Sequence, residues 1–543
     1  MIPTTSVFQF GLGPSNDNRI STNAAALHIC LLCHTRQTDF LSRSPLLMLQ
    51  LAIILSTALL AALIVVGFAS WHNRRTGKAK ILTSRAAPYT SLTYPILGSL
   101  QYFSGHWDFL RSATKEGTVS FHLARQQCIA VDVDKRQEFF SDSRPAFALA
   151  YAVMLGATPS MNRDFLMHMG FDITLGGRAV KFLAALLRNE RVNASRHVLY
   201  QYAEESIGAL EPITNPFDSI YRTVFRLTIN TIAASSISAN PAVCDALVKI
   251  FHELDRSGTP ATILFPWFPW WERVRRFYLM KHFHDIMMVA LAERRREGRD
   301  DEDPLQFLLD EGLSSLEITQ FTLAALFAGI ANTGVVAAYF LCDLASHPSY
   351  LALIRAEILS FIDSFHPDPT LPFSTRFHSI TLDQWLNPSN LPLTHRCLKE
   401  TLRLRIATPF HRLNDSGADM EFGGTVVPHG TILTFHSSFM HHNEAFYVDP
   451  MRWDPERFGV ERAEDKGRPM AFAGWGLGKH QCLGQRLGKF EIFLITALAV
   501  CSYDMEVVEK DGTPMVEMPP VQLNDAVVSP PKRDVYLKLN ARC

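Results

Sequence analysis

The sequence predicts a mainly α protein with a small β portion, preceded by one N-terminal transmembrane helix. Three kinds of observation predict it. First, a run of roughly 30 residues from Leu316 to Ala345 is apolar enough for one long helix. Ser314 and Glu317 form a capping box before it, and His347-Pro348 ends it. Two shorter helical runs follow, Leu393–Ile406, ended by Pro409, and Leu487–Val500. Second, alternation of apolar and polar residues from Gly117 to Val131 reads as a hairpin. Third, Leu46 to Trp71 is almost wholly apolar and exceeds the roughly 20 residues needed to span a bilayer.

The 543 residues carry a formal net charge of −1 and are 47% hydrophobic, which allows one large core or two domains. The near-neutral balance gives no reason to expect nucleic acid as a partner. Nine cysteines without paired spacing indicate no disulfide framework, as suits a reducing compartment. The long run from Leu316 has the length of a membrane span, far beyond the mean soluble helix of about 11–12 residues. Gln320, Thr322, Asn332, Thr333 and Asp343 interrupt it, so a central helix crossing a large domain fits better.

The chemistry concentrates in Trp475-Gly476-Leu477-Gly478-Lys479-His480-Gln481-Cys482-Leu483-Gly484. One cysteine sits in a glycine-punctuated loop before a helix. Amide donors and the helix dipole there favour a thiolate. The glycines are expected to let backbone approach a flat ligand where a Cβ would collide. A thiolate of this kind is what a haem iron needs to cleave dioxygen. Alone, the loop also reads as a buried cysteine in a glycine-rich turn, the commoner fate of a lone cysteine. It is no phosphate-binding loop: Ala473 stands where the first glycine belongs and His480 where the hydroxyl belongs. Nor does Pro469-Met470-Ala471-Phe472 offer the strand that a dinucleotide fingerprint requires.

The loop resembles the cysteine-ligand loop of the cytochromes P450: an aromatic residue seven before the cysteine, glycine four before, a basic residue two before and glycine two after. The resemblance implies that Cys482 is the axial ligand of haem b, with Gly476, Gly478 and Gly484 shaping the loop. Two more segments fall in the order it requires, Lys399-Glu400-Thr401-Leu402-Arg403 and Trp453-Asp454-Pro455-Glu456-Arg457-Phe458. Glu400 and Arg403 share a helix face, and singly such a pair is usually solvated. The resemblance implies instead that Arg457 joins them in a buried three-charge network behind the haem. Breaking such a set costs roughly 3–5 kcal/mol.

The resemblance also places the long helix across the oxygen-binding face. The matching centre is Ala328-Gly329-Ile330-Ala331-Asn332-Thr333. Ala331 replaces the usual acid and Asn332 the usual threonine, while Thr333 comes one position late for that role. An amide holds water by hydrogen bonds but does not shuttle a proton as a carboxyl group does. Ala-Asn-Thr and the His480 loop look like the sterol 7α-hydroxylase and prostacyclin synthase branch, which contains both monooxygenases and peroxide isomerases.

These motifs imply one domain, residues 99–543, in a cytochrome P450 fold. Before it come an irregular leader, 1–45, a transmembrane helix, 46–71, and a basic, proline-containing linker, 72–98. The basic residues after the span, from His72-Asn73-Arg74-Arg75 to Lys80, put that side in the cytosol. The expected place is the endoplasmic reticulum membrane, crossed once, with the catalytic domain in the cytosol. A signal peptide is disfavoured by the length and position of the run. Cys30-Leu31-Leu32-Cys33-His34 spells a c-type haem attachment pattern, but no compact domain surrounds it. Met48, at the head of the apolar run, is an alternative translation start.

Four cations are candidates for the haem propionates: His480, by the family pattern, then Arg412, with Arg188 and Lys181 as weaker ones. Glu293 to Asp303 is a charge run, read first as a solvated connection and second as a partner site. Phe265 to Trp271, followed by Arg273, Arg275 and Arg276, suits a membrane interface or the core equally. The resemblance implies a monooxygenase that inserts one oxygen atom from O2 into a lipophilic substrate, by hydroxylation or epoxidation. A terpenoid, a steroid or another secondary metabolite is expected, with electrons from NADPH through NADPH–cytochrome P450 reductase. Asn332 and Ala328 would line the oxygen site, and Phe327 and Phe410 the substrate pocket. The alternatives are a haem-thiolate isomerase without reductase and a non-catalytic haem binder.

Overall fold

The computed structural model describes residues 97–154, 175–265, 268, 270–298, 302–366, 368, 370–371 and 373–542, with 87, 88, 90 and 94 ahead of them. All belong to one of two units of the chain, Thr83–Cys543. The expected leader and membrane helix lie outside the described residues.

Helices dominate. Those that position the site are α1 (Arg196–Gly208), α2 (Pro216–Ile232), α3 (Ser315–Ala345), α4 (Pro392–Arg405) and α5 (Gln485–Ser502). The start of α3 follows its sequence. Ser314 Oγ accepts from the Glu317 amide at 3.3 Å, while Glu317 Oε2 accepts from the Ser314 amide at 2.8 Å. Most of the helix's described residues are buried, so its apolar surface faces protein. It packs against α2, α4 and α5. The close approach to α2 depends on a small residue at Gly334, where a Cβ would come within 2.8 Å of the Tyr221 ring.

The β portion is small. Strands β1 (Val119–Leu123) and β2 (Gln126–Ala130) form the expected hairpin, with Ala124 at positive φ in its turn. Strand β3 (Ile213–Thr214) lies apart from β4 (Pro409–Leu413), β5 (Met420–Phe422), β6 (Thr425–Val427) and β7 (Ile432–His436). The last two are β8 (Tyr503–Val508) and β9 (Tyr536–Ala541). The sheets run β1-β2-β7-β4, β3-β9-β8 and β5-β6. One apolar core lies among the helices, and a second, rich in phenylalanine, lies beneath the four-stranded sheet. Ahead of β1, the Pro88 carbonyl accepts from the Ser120 amide at 2.7 Å, which lays that chain along the strand.

One expectation fails. The charge run from Glu293 is not simply a solvated connection. Its first residues close the helix Trp271–Glu297, where Arg294 is buried and pairs with Asp303 at 2.7 Å. Asp303 also caps the next helix through the amides of Leu305 and Gln306. A run of charges on a helix need not share one face, and Arg294 points inward.

Candidate active site

The loop of Cys482 closes on itself before α5 begins. The Cys482 amide donates to the Trp475 carbonyl at 2.8 Å, and the Gly476 amide to that of Ala473 at 2.9 Å. Gly476 and Gly478 hold φ of +71° and +64°, a region costly to side chains. A Cβ on Gly476 would lie 2.8 Å from the His480 carbonyl, and one on Gly478 would collide with that of Phe140. Both glycines therefore let the loop fold on itself and dock on the helix Arg136–Ser141. Gly484 has ordinary φ and caps α5; only there would a Cβ face the thiol, 4.0 Å from Sγ.

Cys482 is exposed beside this dense loop. Burial of its surroundings pushes the thiol up, and the Gly484 amide pulls it down. The amide effect expected from sequence is present but is the smaller of the two.

Two cationic candidates meet beside the loop. His480 stacks on Phe147 with ring centres 5.5 Å apart, and the Arg412 guanidinium lies 5.1 Å over the same ring. Arg412 is buried and donates from Nη1 to the His411 carbonyl at 2.8 Å. Burial lowers its pKa to about 10; burial, then Arg412, lowers that of His480. Arg412 Nε and His480 Nε2 are buried without a hydrogen-bond partner among the described residues. Lys181 and Arg188 are exposed on another segment, and no described contact brings them to this pair.

Behind the loop, Glu400, Arg403 and Arg457 are brought together, all fully buried. Arg403 donates to both Glu400 oxygens, from Nε at 2.8 Å and from Nη2 at 2.9 Å. Arg457 Nε donates to Glu400 Oε1 at 3.0 Å. Sequence reasoning missed the fourth member: Glu464 takes Arg457 Nη1 at 2.9 Å, while its other oxygen accepts from Arg462 nearer the surface. Backbone carbonyls take further donors, Arg403 reaching His441 and Arg457 reaching Val448 at 2.8 Å. A second buried pair, Arg405 with Asp343 at 2.5 Å, ties α4 to the end of α3.

On α3, Ala324, Ala328 and Asn332 are exposed at intervals of four while their neighbours are mostly buried. This spacing puts them on one face. Thr333 points elsewhere: its hydroxyl donates to the Gly329 carbonyl at 2.9 Å and packs against Gly488 of α5. Phe327 is partly buried near Phe251, with ring centres 6.5 Å apart, and Phe410 meets Phe140 edge-on at 5.3 Å. Phe147 and Glu464 carried no signal in the sequence, being brought in by tertiary packing from distant or irregular segments.

The cytochrome P450 family model matches residues 186–537. The chain belongs to the cytochrome P450 family. It is similar to the cytochrome P450 monooxygenase AacuE of Aspergillus aculeatus, 28% identical over 79% of this chain and 88% of that protein. A cytochrome P450 monooxygenase of Pseudocercospora fijiensis is 25% identical over 84% of this chain and 96% of its own length. The monooxygenase dmxR5 of Cryptosporiopsis sp. is 24% identical over 78% and 84%. This P450 is thus an oxidoreductase, a haem-thiolate monooxygenase that acts on a lipophilic substrate and takes electrons from a redox partner. The resemblance of Ala-Asn-Thr to the sterol 7α-hydroxylase and prostacyclin synthase branch finds no support in these relatives.

The residues present fit a haem. An open thiol, two buried donors without hydrogen-bond partners among the described residues and a face of small side chains on α3 match a flat, dianionic iron macrocycle.

Proposed function

We propose that Cys482 is the axial thiolate, that Arg412 and His480 hold the propionates, and that Ala328 and Asn332 line the oxygen side. The bound haem supplies dioxygen cleavage and oxygen insertion. The protein's own share is positional. Arg412 brings a buried charge whose only described hydrogen-bond partner is the His411 carbonyl, which leaves its Nε for a carboxylate. His480 adds a neutral donor braced by Phe147. Asn332 offers a carboxamide that orients water or substrate without acting as an acid. Glu400, Arg403, Arg457 and Glu464 hold the segments behind the loop. The observation that carries the reading is the pair of unpartnered donors, Arg412 Nε and His480 Nε2, beside the open Cys482 thiol.

The electrons come from NADPH through a membrane-bound reductase. The substrate is a terpenoid, a steroid or a similar secondary metabolite, which the small residues on α3 would admit. The catalytic domain, 99–543, faces the cytosol from the endoplasmic reticulum membrane, held by residues 46–71. Trp271, Phe277 and Tyr278 are exposed on one helix among Arg273, Arg275 and Arg276, which supports contact with a lipid interface. Substrate would then enter from the bilayer.

The test compares metabolites of the native host carrying wild type or Cys482→Ser, by accurate mass. A precursor lighter than the lost product by one oxygen is expected. A precursor of equal mass would replace oxygen insertion with rearrangement.

A further inference from the structure

On α5, after the cysteine loop, stands a lysine that no described anion meets. Lys489 is half-buried, and its Nζ lies 5.9 Å from the centre of the Trp475 ring. That is the outer edge of a cation–π contact, and it is the one attraction found for this ammonium among the described residues. The indole lies against α5 because position 488 has no side chain: a Cβ on Gly488 would come 3.4 Å from Trp475 Cη2 and Cζ3. The charged groups that act on Lys489 are both cations, Lys399 of α4 and Arg486 of α5. Each has a carboxylate of its own, Lys399 that of Asp465 at 2.6 Å and Arg486 that of Asp383. His395, also on α4, adds no negative charge. Burial, then Lys489, lowers its pKa to about 4, so it is neutral at pH 7.

Burial, then Lys399, then Arg486 lower the pKa of Lys489 itself. More of it is therefore free amine at neutral pH than of a solvated lysine. A free amine is a nucleophile, and an ammonium is not. A lysine with a structural task is held by a carboxylate, as Lys399 is.

We propose that Lys489 is a modification site, acylated on Nζ by small acyl thioesters. The amine attacks the thioester carbonyl carbon. A carbon–nitrogen bond forms, the carbon–sulfur bond breaks, and the thiol leaves with the proton that the nitrogen sheds. Nothing is oxidised or reduced. The product is a neutral amide, which ends the repulsion with Lys399 and Arg486 and suits a half-buried place better than an ammonium. One positive charge is thereby removed beside Trp475, whose carbonyl holds the Cys482 amide at 2.8 Å.

The haem-loaded protein, incubated with acetyl-coenzyme A at about pH 7.5 and digested for site-resolved mass spectrometry, tests this. Lys489 should be acetylated at least about threefold faster than Lys249 and Lys510, which are exposed on other elements. Arg486→Glu sets a carboxylate one turn before Lys489, and Lys399→Gln removes a repelling cation. Each should bring the Lys489 rate down toward that of the two exposed lysines. If Arg486→Glu does not hold haem, Lys399→Gln decides. Equal rates at the three lysines of the wild type, or an undiminished Lys489 rate in Lys399→Gln, would overturn the proposal. The labelling uses neither substrate nor reductant, so its outcome is independent of the oxygen-insertion reading.

Discussion

Arg403 and Arg457 are buried as deeply as Arg412, yet the two regions are built on opposite terms. Behind the cysteine loop, two arginines meet two glutamates, and backbone carbonyls take further donors. Beside the loop, Arg412 has one carbonyl and two aromatic faces, and its Nε has no described partner. A buried charge without its counter-ion is costly, so it persists where something else supplies the anion. The paired set is therefore architecture, and the unpaired cation marks a ligand.

That distinction can be broken at several points. The largest effect is expected at the paired set. Glu400→Gln leaves buried Arg403 with backbone carbonyls and no described carboxylate, while Arg457 keeps Glu464, and the loss of roughly 3–5 kcal/mol should leave little folded protein. Recovery of stable, haem-loaded Glu400→Gln would contradict the architectural reading.

Glu491 sharpens the comparison as a buried acid with a neutral partner. Its folded pKa lies above the ordinary glutamate value, so the folded state holds a proton that the unfolded chain loses. Its contribution is fully present below the ordinary value, near 4.5, and is lost as pH rises toward about 8. Glu491→Gln should therefore gain stability on wild type between those limits, by a few kcal/mol. Melting temperatures of both proteins across that range check it; a constant difference would contradict it.

Arg412→Met should act in the reverse sense to the paired set. The apoprotein should keep its melting temperature, since burial already disfavours this cation, while haem affinity falls by about 1–3 kcal/mol. Haem transfer to an acceptor protein measures it, and apoprotein collapse would show that Arg412 is architectural instead. His480→Phe should be milder. The stack on Phe147 survives, a neutral donor is lost, and haem transfers faster by about 1 kcal/mol, roughly fivefold.

What was legible in the sequence follows the same division. Local rules placed α3, because its cap, its apolar run and its proline stop are contiguous. They placed the hairpin for the same reason. The order of Glu400, Arg403, Arg457 and Cys482 named the family before any contact was known. Partners brought from afar were not legible. Nothing in the sequence pairs Glu464 with Arg457, lays Phe147 over His480, or brings Thr228 to Glu491. The glycines of the loop were legible as required, and the close backbone neighbours of Gly476 and Gly478 were not. Arg294 and Asp303 were misread because a charge run shows composition, not which helix face each charge takes.

The most direct test of the whole account is the reduced, carbon monoxide difference spectrum of wild type beside Cys482→Ser and His480→Phe. Wild type and His480→Phe should give the long-wavelength band of a thiolate-ligated iron, and Cys482→Ser should lack it. Persistence of that band in Cys482→Ser would contradict the assignment of the thiolate, and with it the reading of the site around it.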